Sequence, residues 1–297
     1  MSVQKNLSKQ AFSPDCVIVT IAPEIALKSN YVKKFMVGAL RENISLCIKN
    51  VGAPYSKMDF VGGRVFISSS KPNAVVSALE KCFGIHSFYL AQGVKFSSFN
   101  DLACRVALLS KGKLKETFAA RAKSFSPAFR SQELEREIGS EVLALNPMLK
   151  VNLSSPKTQV NCIAYEKCAY VYFESLLAAG GMPVGTQGRV ALISSKGLDK
   201  DALGLGWLLM KNGCKLSFLD FSKKTKEKDL SGLAKWSSFS GIKMTSIADT
   251  QKLYAEQRVR ALFSTARTLK EAEEVSKKIG SKVFAPFLLL EAKTPFD

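Results

Sequence analysis

The chain has 297 residues, 46% of them apolar and 23% charged, which excludes a fibrous or mainly disordered protein and is enough for two or three compact units. Its 43 Lys and Arg against 25 Asp and Glu leave a formal net charge of +18, spread along the sequence rather than gathered in a tail. That spread suits a surface following a folded nucleic acid better than a flexible polybasic arm, the competing reading being a merely lysine-rich composition. No apolar run approaches a signal peptide or the roughly 20 residues of a membrane span, so a cytoplasmic protein without a membrane partner is expected. Seven cysteines never fall in a CxxC spacing and His86 is the only histidine, so reduced, packed thiols and no metal site are expected. Cys162 and Cys168 flank a short turn and carry the one alternative, a metal or disulfide role.

In chain order, 17–22 is apolar and β-branched, a strand, and Ser29 can cap a helix running to about residue 48. Val32, Phe35, Met36, Leu40 and Ile44 recur in it at helical spacing. A turn-rich stretch precedes a strand at 64–69, a helix at 72–82 and a strand at 88–94. That β-α-β-β-α-β outline predicts a ferredoxin-like unit.

From residue 96 the pattern predicts a helix at 100–109, a strand at 114–122, a helix at 131–145 and strands at 150–153, 159–164 and 169–173, a second α/β unit. The glycine-rich stretch 178–188 then breaks regular structure and marks a boundary. Beyond it, strands at 189–194 and 215–220 alternate with a helix at 200–211, and helices are predicted at 251–267 and 269–279. Such alternation implies a parallel sheet with crossover helices, closed by an apolar strand at 282–290, while 223–228 reads as a charged loop. The fold class is therefore α/β with an α+β N-terminal half.

Specific strings then point to a family. The run Glu24-Ile25-Ala26-Leu27-Lys28-Ser29 with Phe35 and Leu40, then Gly63-Arg64-Val65-Phe66 and Cys82-Phe83-Gly84-Ile85, resembles the first domain of the tRNA sulfurtransferases that make 4-thiouridine. Phe118-Ala119-Ala120-Arg121-Ala122-Lys123, Phe129, Ser131-Gln132-Glu133-Leu134 and Pro156 resemble that family's THUMP domain. Gly180-Gly181-Met182-Pro183-Val184-Gly185-Thr186-Gln187-Gly188 is similar to its entry into an ATP-pyrophosphatase (PP-loop) domain. The resemblance implies a ferredoxin-like domain at 1–95, a THUMP domain at 96–180 and a small PP-loop-like domain at 188–297. It also implies a grip on the acceptor arm of tRNA by the first two. Arg121, Lys123 and Arg130, extended by Lys28 and Lys33, would pair with phosphates, and Phe125 and Phe129 would stack on unpaired bases. The bland readings are core phenylalanines and a solvated face of cations.

The resemblance breaks in the third part. Where the family has Ser-Gly-Gly-x-Asp-Ser, this chain has Ser195-Lys196-Gly197-Leu198-Asp199-Lys200. Ser195, Gly197 and Asp199 are then the remnant of an ATP loop, Asp199 serving equally as a helix cap, while Lys196 and Lys200 could clamp phosphate. No cysteine follows Cys214, which reads as packing rather than as a persulfide carrier. The stretch 258–266 resembles the family's Arg-rich helix, but Phe284-Ala285-Pro286-Phe287-Leu288 stands where its Thr-Gly-Glu motif belongs, and the third part is short for the family. The expected function is a tRNA-binding protein without an intact catalytic centre, working with a separate modification enzyme. An active sulfurtransferase using ATP, and a subunit of an RNA-processing assembly with the apolar end as its interface, are the alternatives. The oligomeric state is not legible.

Overall fold

The computed structural model describes residues 11–238 and 241–286. The fold is mixed α/β, and the chain divides into two compact units. The first comprises Met1–Val19, Pro54–Val76 and Phe88–Leu176; the second comprises Thr20–Ala53, Ser77–Ser87 and Leu177–Asp297.

The N-terminal elements follow the predicted β-α-β-β-α-β order: β1 (Cys16–Ile21), a short helix α1 (Pro23–Ala26), α2 (Asn30–Val51), β2 (Lys57–Val61), β3 (Arg64–Ser68), α3 (Pro72–Leu79) and β4 (Ile85–Lys95). Strand β2 lies in what the sequence presents as turns. Ser29 does occupy the N-cap position of α2, but its side chain makes no capping bond. There follow α4 (Phe99–Leu109), β5 (Thr117–Ser124), α5 (Ser131–Leu145), β6 (Lys150–Val151), β7 (Thr158–Ala164), β8 (Cys168–Tyr172) and β9 (Leu176–Gly180). The boundary stretch 178–188 thus begins inside a strand rather than as a free linker.

In the first unit the strands run in the order β2-β3-β1-β4-β8-β7-β5-β6. The β2–β3, β4–β8 and β8–β7 pairs are antiparallel, whereas β5 is parallel to both β7 and β6. Alternation gives each strand two faces. Phe118, Ala120, Val160, Cys162, Ala164, Ala169 and Val171 pack with α4 and α5 into one core. Leu134, Ile138 and Val142, spaced four apart, are the stripe of α5 buried there. Register explains Cys162, which pairs with Val171 rather than Cys168 and so faces this core, where burial pushes its thiol up to about 12. All seven cysteines are free. The opposite sheet face carries Cys16, Ile18, Phe66, Ala91 and Ile163 under a layer of tyrosines.

The second unit contains β10 (Arg189–Ser194), α6 (Lys200–Lys211), β11 (Lys215–Asp220), a 3-10 turn at Glu227–Leu230, α7 (Ser231–Ala234), β12 (Lys243–Met244), α8 (Ile247–Ala255), β13 (Leu262–Ser264) and α9 (Leu269–Ile279). Its strands are all parallel, in the order β12-β11-β10-β13. Val190 and Leu192 of β10 face a core shared with α6, and Ala191 and Ile193 face a second core with Val275 and Ile279 of α9. Burial on both faces is why this strand reads as an unbroken apolar run.

One expectation fails here. The predicted helix at 251–267 ends at Ala255, passes through Gln257 at φ 55, and the chain re-extends as β13 beside β10. The stretch likened to an Arg-rich helix, 258–266, is therefore built around a strand. Of the predicted strand at 282–290, Phe284 bridges Phe263 and stacks on it at 5.3 Å. Residues 287–290, and with them most of the apolar end, lie outside the described residues. No described helix is long and apolar enough to cross a membrane.

Gly181 has φ 75, and a Cβ there would meet the carbonyl oxygen of Lys211 at 2.5 Å, the same oxygen that accepts the Met182 N–H. Left-handed strain and a backbone clash act together, so Gly181→Ala is expected to cost about 2–4 kcal/mol. Thermal unfolding against wild type checks this, and an unchanged midpoint would contradict it.

Candidate functional site

Strand β5 turns Phe118 and Ala120 into the core and therefore sends Arg121 and Lys123 to the opposite face. The Arg121 guanidinium donates to the Leu153 carbonyl, which holds the side chain along the strand. Lys123 Nζ lies 5.3 Å from the centroid of the Phe125 ring. That ring, 40% exposed, stacks on Tyr165 at 5.2 Å and 10°. A cation over the face of a half-exposed ring, with an arginine two residues upstream, is suited to a sugar-phosphate chain carrying an unstacked base.

The other predicted residues fall differently. Phe129 is half-buried, tilted against Phe99 at 5.3 Å, and belongs to the margin of the core. Arg130 is exposed at the start of α5, where its N–H donates to Glu133 at 2.9 Å. Lys28 and Lys33 belong to the second unit, Lys28 exposed on the segment leading from α1 into α2 and Lys33 in the first turn of α2. Tyr165 was invisible as a site residue in the sequence. Its ring backs Phe125, and its hydroxyl is buried without a hydrogen-bond partner among the described residues.

The second site is the loop joining β10 to α6. The order β12-β11-β10-β13 makes the chain leave β10 first to one side and later to the other, so the crevice beyond the C-terminal end of β10 is the topological switch point of the sheet. Ser195, Gly197 and Asp199 lie there. Gly197 has φ 84 and approaches Ser222 and Thr225, which keeps glycine at this position. The Asp199 carboxylate accepts the Ala202 N–H at 2.9 Å, the helix cap that the sequence offered. Lys196 Nζ stands 3.8 Å from Glu271.

Two pairings not visible in the sequence shape the crevice. Arg267, following β13, makes a two-pronged bond to Asp201 in the first turn of α6, both contacts at 2.6 Å, and its N–H donates to Glu271 at 2.8 Å. The arginine hydrogen bonds hold the Asp201 carboxyl below its ordinary range. At the end of β11, Asp220 accepts from Ser222 N and Oγ at 2.7 Å, from Thr225 N at 2.8 Å and from Lys224 N at 3.0 Å. Burial raises its pKa, but these bonds lower it further, so it stays a carboxylate. Beside it Phe221, Thr225, Met244, Thr245 and Ile247 line a cavity of about 670 Å³. Cys214 is half-buried and its thiol is raised by burial, the wrong direction for a nucleophile.

The Asp201 carboxyl gives a pH dependence of known sign. Its folded pKa is depressed, so the Arg267 pair contributes fully above the ordinary carboxylate range, about pH 4, and is lost as pH falls through the lower folded value. Asp201→Asn is expected to melt below wild type at pH 7, with the gap narrowing as pH falls below about 4. A gap that stays constant across thermal unfolding scans in that range would show that the pair contributes nothing.

The ThiI ferredoxin-like domain matches residues 17–89. A probable tRNA sulfurtransferase of Methanosarcina acetivorans is 34% identical over 217 residues, 69% of this chain and 51% of the relative. One from Methanosarcina mazei is 33% identical over 204 residues, 66% of this chain and 49% of the relative. The chain therefore spans about half the length of these curated relatives. Among solved structures, PH1313 from Pyrococcus horikoshii superposes with a TM-score of 0.75 at 23% identity, covering 93% of this chain and 95% of that one. A 4-thiouridine synthetase solved with RNA and bound ATP superposes at 0.70 and 20% identity, covering 92% and 81%. Fold and sequence together make this chain a homologue of the tRNA sulfurtransferases, carrying their ferredoxin-like domain.

Proposed function

We propose that this chain binds tRNA by its acceptor arm in support of tRNA modification, without an intact centre for ATP-dependent sulfur transfer. In this reading residues 1–95 are the ferredoxin-like domain, 96–180 a THUMP domain that grips RNA, and 188–297 a degenerate PP-loop domain. The observation that carries it is the strip formed by Arg121, Lys123 and Phe125, with Phe125 laid on Tyr165. Cations fix the phosphate chain, and as Lys123 leaves the Phe125 ring for a phosphate the ring face not held by Tyr165 receives a base, with Arg130 on the same unit; Lys28 and Lys33 are the candidate phosphate contacts of the second unit, taken by itself. The catalytic partner is a separate modification enzyme that supplies the sulfur chemistry.

The nucleotide crevice supports the second half of the proposal. The cavity beside Asp220 has room for a nucleoside. The phosphates of ATP would need the N-terminus of α6, where Asp199 already caps one N–H and Asp201 adds a second carboxylate bound to Arg267. Lys196, standing where the family has glycine, is directed at Glu271 rather than into the crevice. Triphosphate therefore does not fit the residues present, and no reaction step is assigned to it. An active sulfurtransferase is the second reading, favoured by the retained Gly197 conformation and the cavity. Phosphate release from ATP by the purified protein, with and without tRNA, decides between them. No release above an Asp199→Ala control supports a binder, and release abolished by that substitution supports the enzyme.

A further inference from the structure

The sheet face opposite the helices of the first unit carries a row of aromatic rings that tRNA grip by β5 alone does not use. Register places them together. Lys123 pairs with Ile163 and Arg121 with Asn161, Ile163 pairs with Tyr170 and Asn161 with Tyr172, and Tyr170 pairs with Gly93 of β4. Crossing the sheet from β5 to β4, one face thus presents Arg121 and Lys123, then Asn161 and Ile163, then Tyr172 and Tyr170, then Tyr89, Ala91 and Gly93. Phe66 of β3 continues it, with Tyr170 at 4.7 Å and Tyr165 at 5.9 Å from its ring, and Tyr165 leads back to Phe125. Tyr89 and Tyr172 form a second contact at 4.5 Å.

The floor of this layer, Cys16, Ile18, Phe66, Ala91 and Ile163, is buried, while Tyr89, Tyr165, Tyr170 and Tyr172 above it remain partly exposed in the whole chain. The charges around it are mainly positive. Burial pushes the Tyr165 and Tyr172 hydroxyls up, and Arg64 lies close enough to both to offset part of that rise, with Lys123 and Arg121 at the far side. The two carboxylates on the face are already engaged, Asp59 by Lys57 at 2.8 Å and Asp15 by the Gly93 N–H at 2.8 Å.

We infer that this tyrosine face is a stacking platform for a single-stranded RNA segment, running from Phe125 across Tyr170 and Tyr172 to Tyr89. The inference rests on the proposed RNA-binding function and extends it from one edge strand to the whole sheet. Aromatic rings offer π-faces to unpaired bases of any identity, and the flanking guanidinium and ammonium groups meet the phosphates between them. A duplex has no free base faces to offer and gains only from the cations. The platform therefore distinguishes unpaired from paired RNA.

The test uses the full chain and an unstructured RNA of about 12 nucleotides, a length within the range such grooves accommodate, beside a duplex of the same sequence and full-length tRNA. Tyr170→Leu with Tyr172→Leu keeps apolar bulk and removes the π-faces; Tyr170→Phe with Tyr172→Phe keeps them. The leucine pair is expected to weaken single-strand binding at least about 10-fold, the phenylalanine pair to leave it within about 2-fold, and neither to change duplex binding. Equal single-strand affinity for the folded leucine pair and wild type overturns the platform. Should the leucine pair not fold, ultraviolet crosslinking of wild type decides: adducts at Tyr170, Tyr172 or Phe125 support it, and adducts confined elsewhere overturn it. Dimerisation in sedimentation that the leucine pair abolishes assigns the face to a second copy and also overturns it. Wild type that binds tRNA but not the single strand sinks the platform alone. Wild type that binds no tRNA, yet holds the single strand through these tyrosines, sinks the tRNA reading alone.

Discussion

Replacing Arg121 and Lys123 together by alanine is expected to weaken tRNA binding about 30- to 150-fold at moderate salt. Each cation contributes roughly 1–1.5 kcal/mol when it meets a phosphate, and 1.4 kcal/mol is tenfold in affinity. The two losses are close enough to couple, since both side chains leave the same face of β5. Because each phosphate contact releases counterions, the slope of log affinity against log salt should flatten by roughly 2. Arg121 has a second role, holding the Leu153 carbonyl, so Arg121→Lys should retain much of the charge effect while loosening that segment. Filter binding over a salt series measures both quantities. An affinity loss with an unchanged slope would mean that the pair acts through folding rather than through phosphates.

Phe83→Ala is expected to be the most destabilising single change in the second unit, at about 3–5 kcal/mol. The ring is fully buried, stacks on Trp236 at 5.3 Å and meets Trp207 edge-on at 5.7 Å. The two tryptophans also meet edge-on at 5.8 Å, so removing Phe83 opens a cavity between flat surfaces that cannot collapse into it. Its neighbour Gly84 has no room to compensate, since a Cβ there would sit 2.9 Å from Pro183. Urea unfolding followed by tryptophan fluorescence reads the loss directly, and Phe83→Leu should recover more than half of it. A loss under about 1 kcal/mol for Phe83→Ala would show that the aromatic cluster is not what ties this segment to the parallel sheet.

The elements most legible in the sequence were those with a single physical signature. Strand β10 is buried on both faces and α5 on one, so an apolar run and a four-residue stripe gave each its bounds. Asp199 was legible as a cap because capping is local, three residues from its partner. Strand β13 was not, because three residues between two stretches of helical composition carry no period of their own, and only its parallel pairing with β10 extends them. Strand β2 was hidden for a related reason: as the sheet's outer strand it is nowhere fully buried, and its polar positions resemble a turn.

The sites divide in the same way. Arg121, Lys123 and the loop 195–199 were named as candidates because motif strings mark them, and alternation could place the cations on one face. Which phenylalanine is exposed was not legible, since Phe125 and Phe129 both follow the strand and only the folded chain lays one on Tyr165 and the other on Phe99. The Arg267–Asp201 pair joins residues 66 apart and has no local signal at all. It is nevertheless one of the charge pairs that flank the crevice, holding the Asp201 carboxyl below its ordinary range.

The claim that this chain is a tRNA binder without a working nucleotide centre is tested most directly by binding full-length tRNA over a salt series while assaying ATP turnover in the same samples. The account predicts affinity that falls steeply with salt and no turnover above the Asp199→Ala background. Turnover that tRNA stimulates and Asp199→Ala abolishes would contradict the second half, and salt-insensitive or absent tRNA binding would contradict the first.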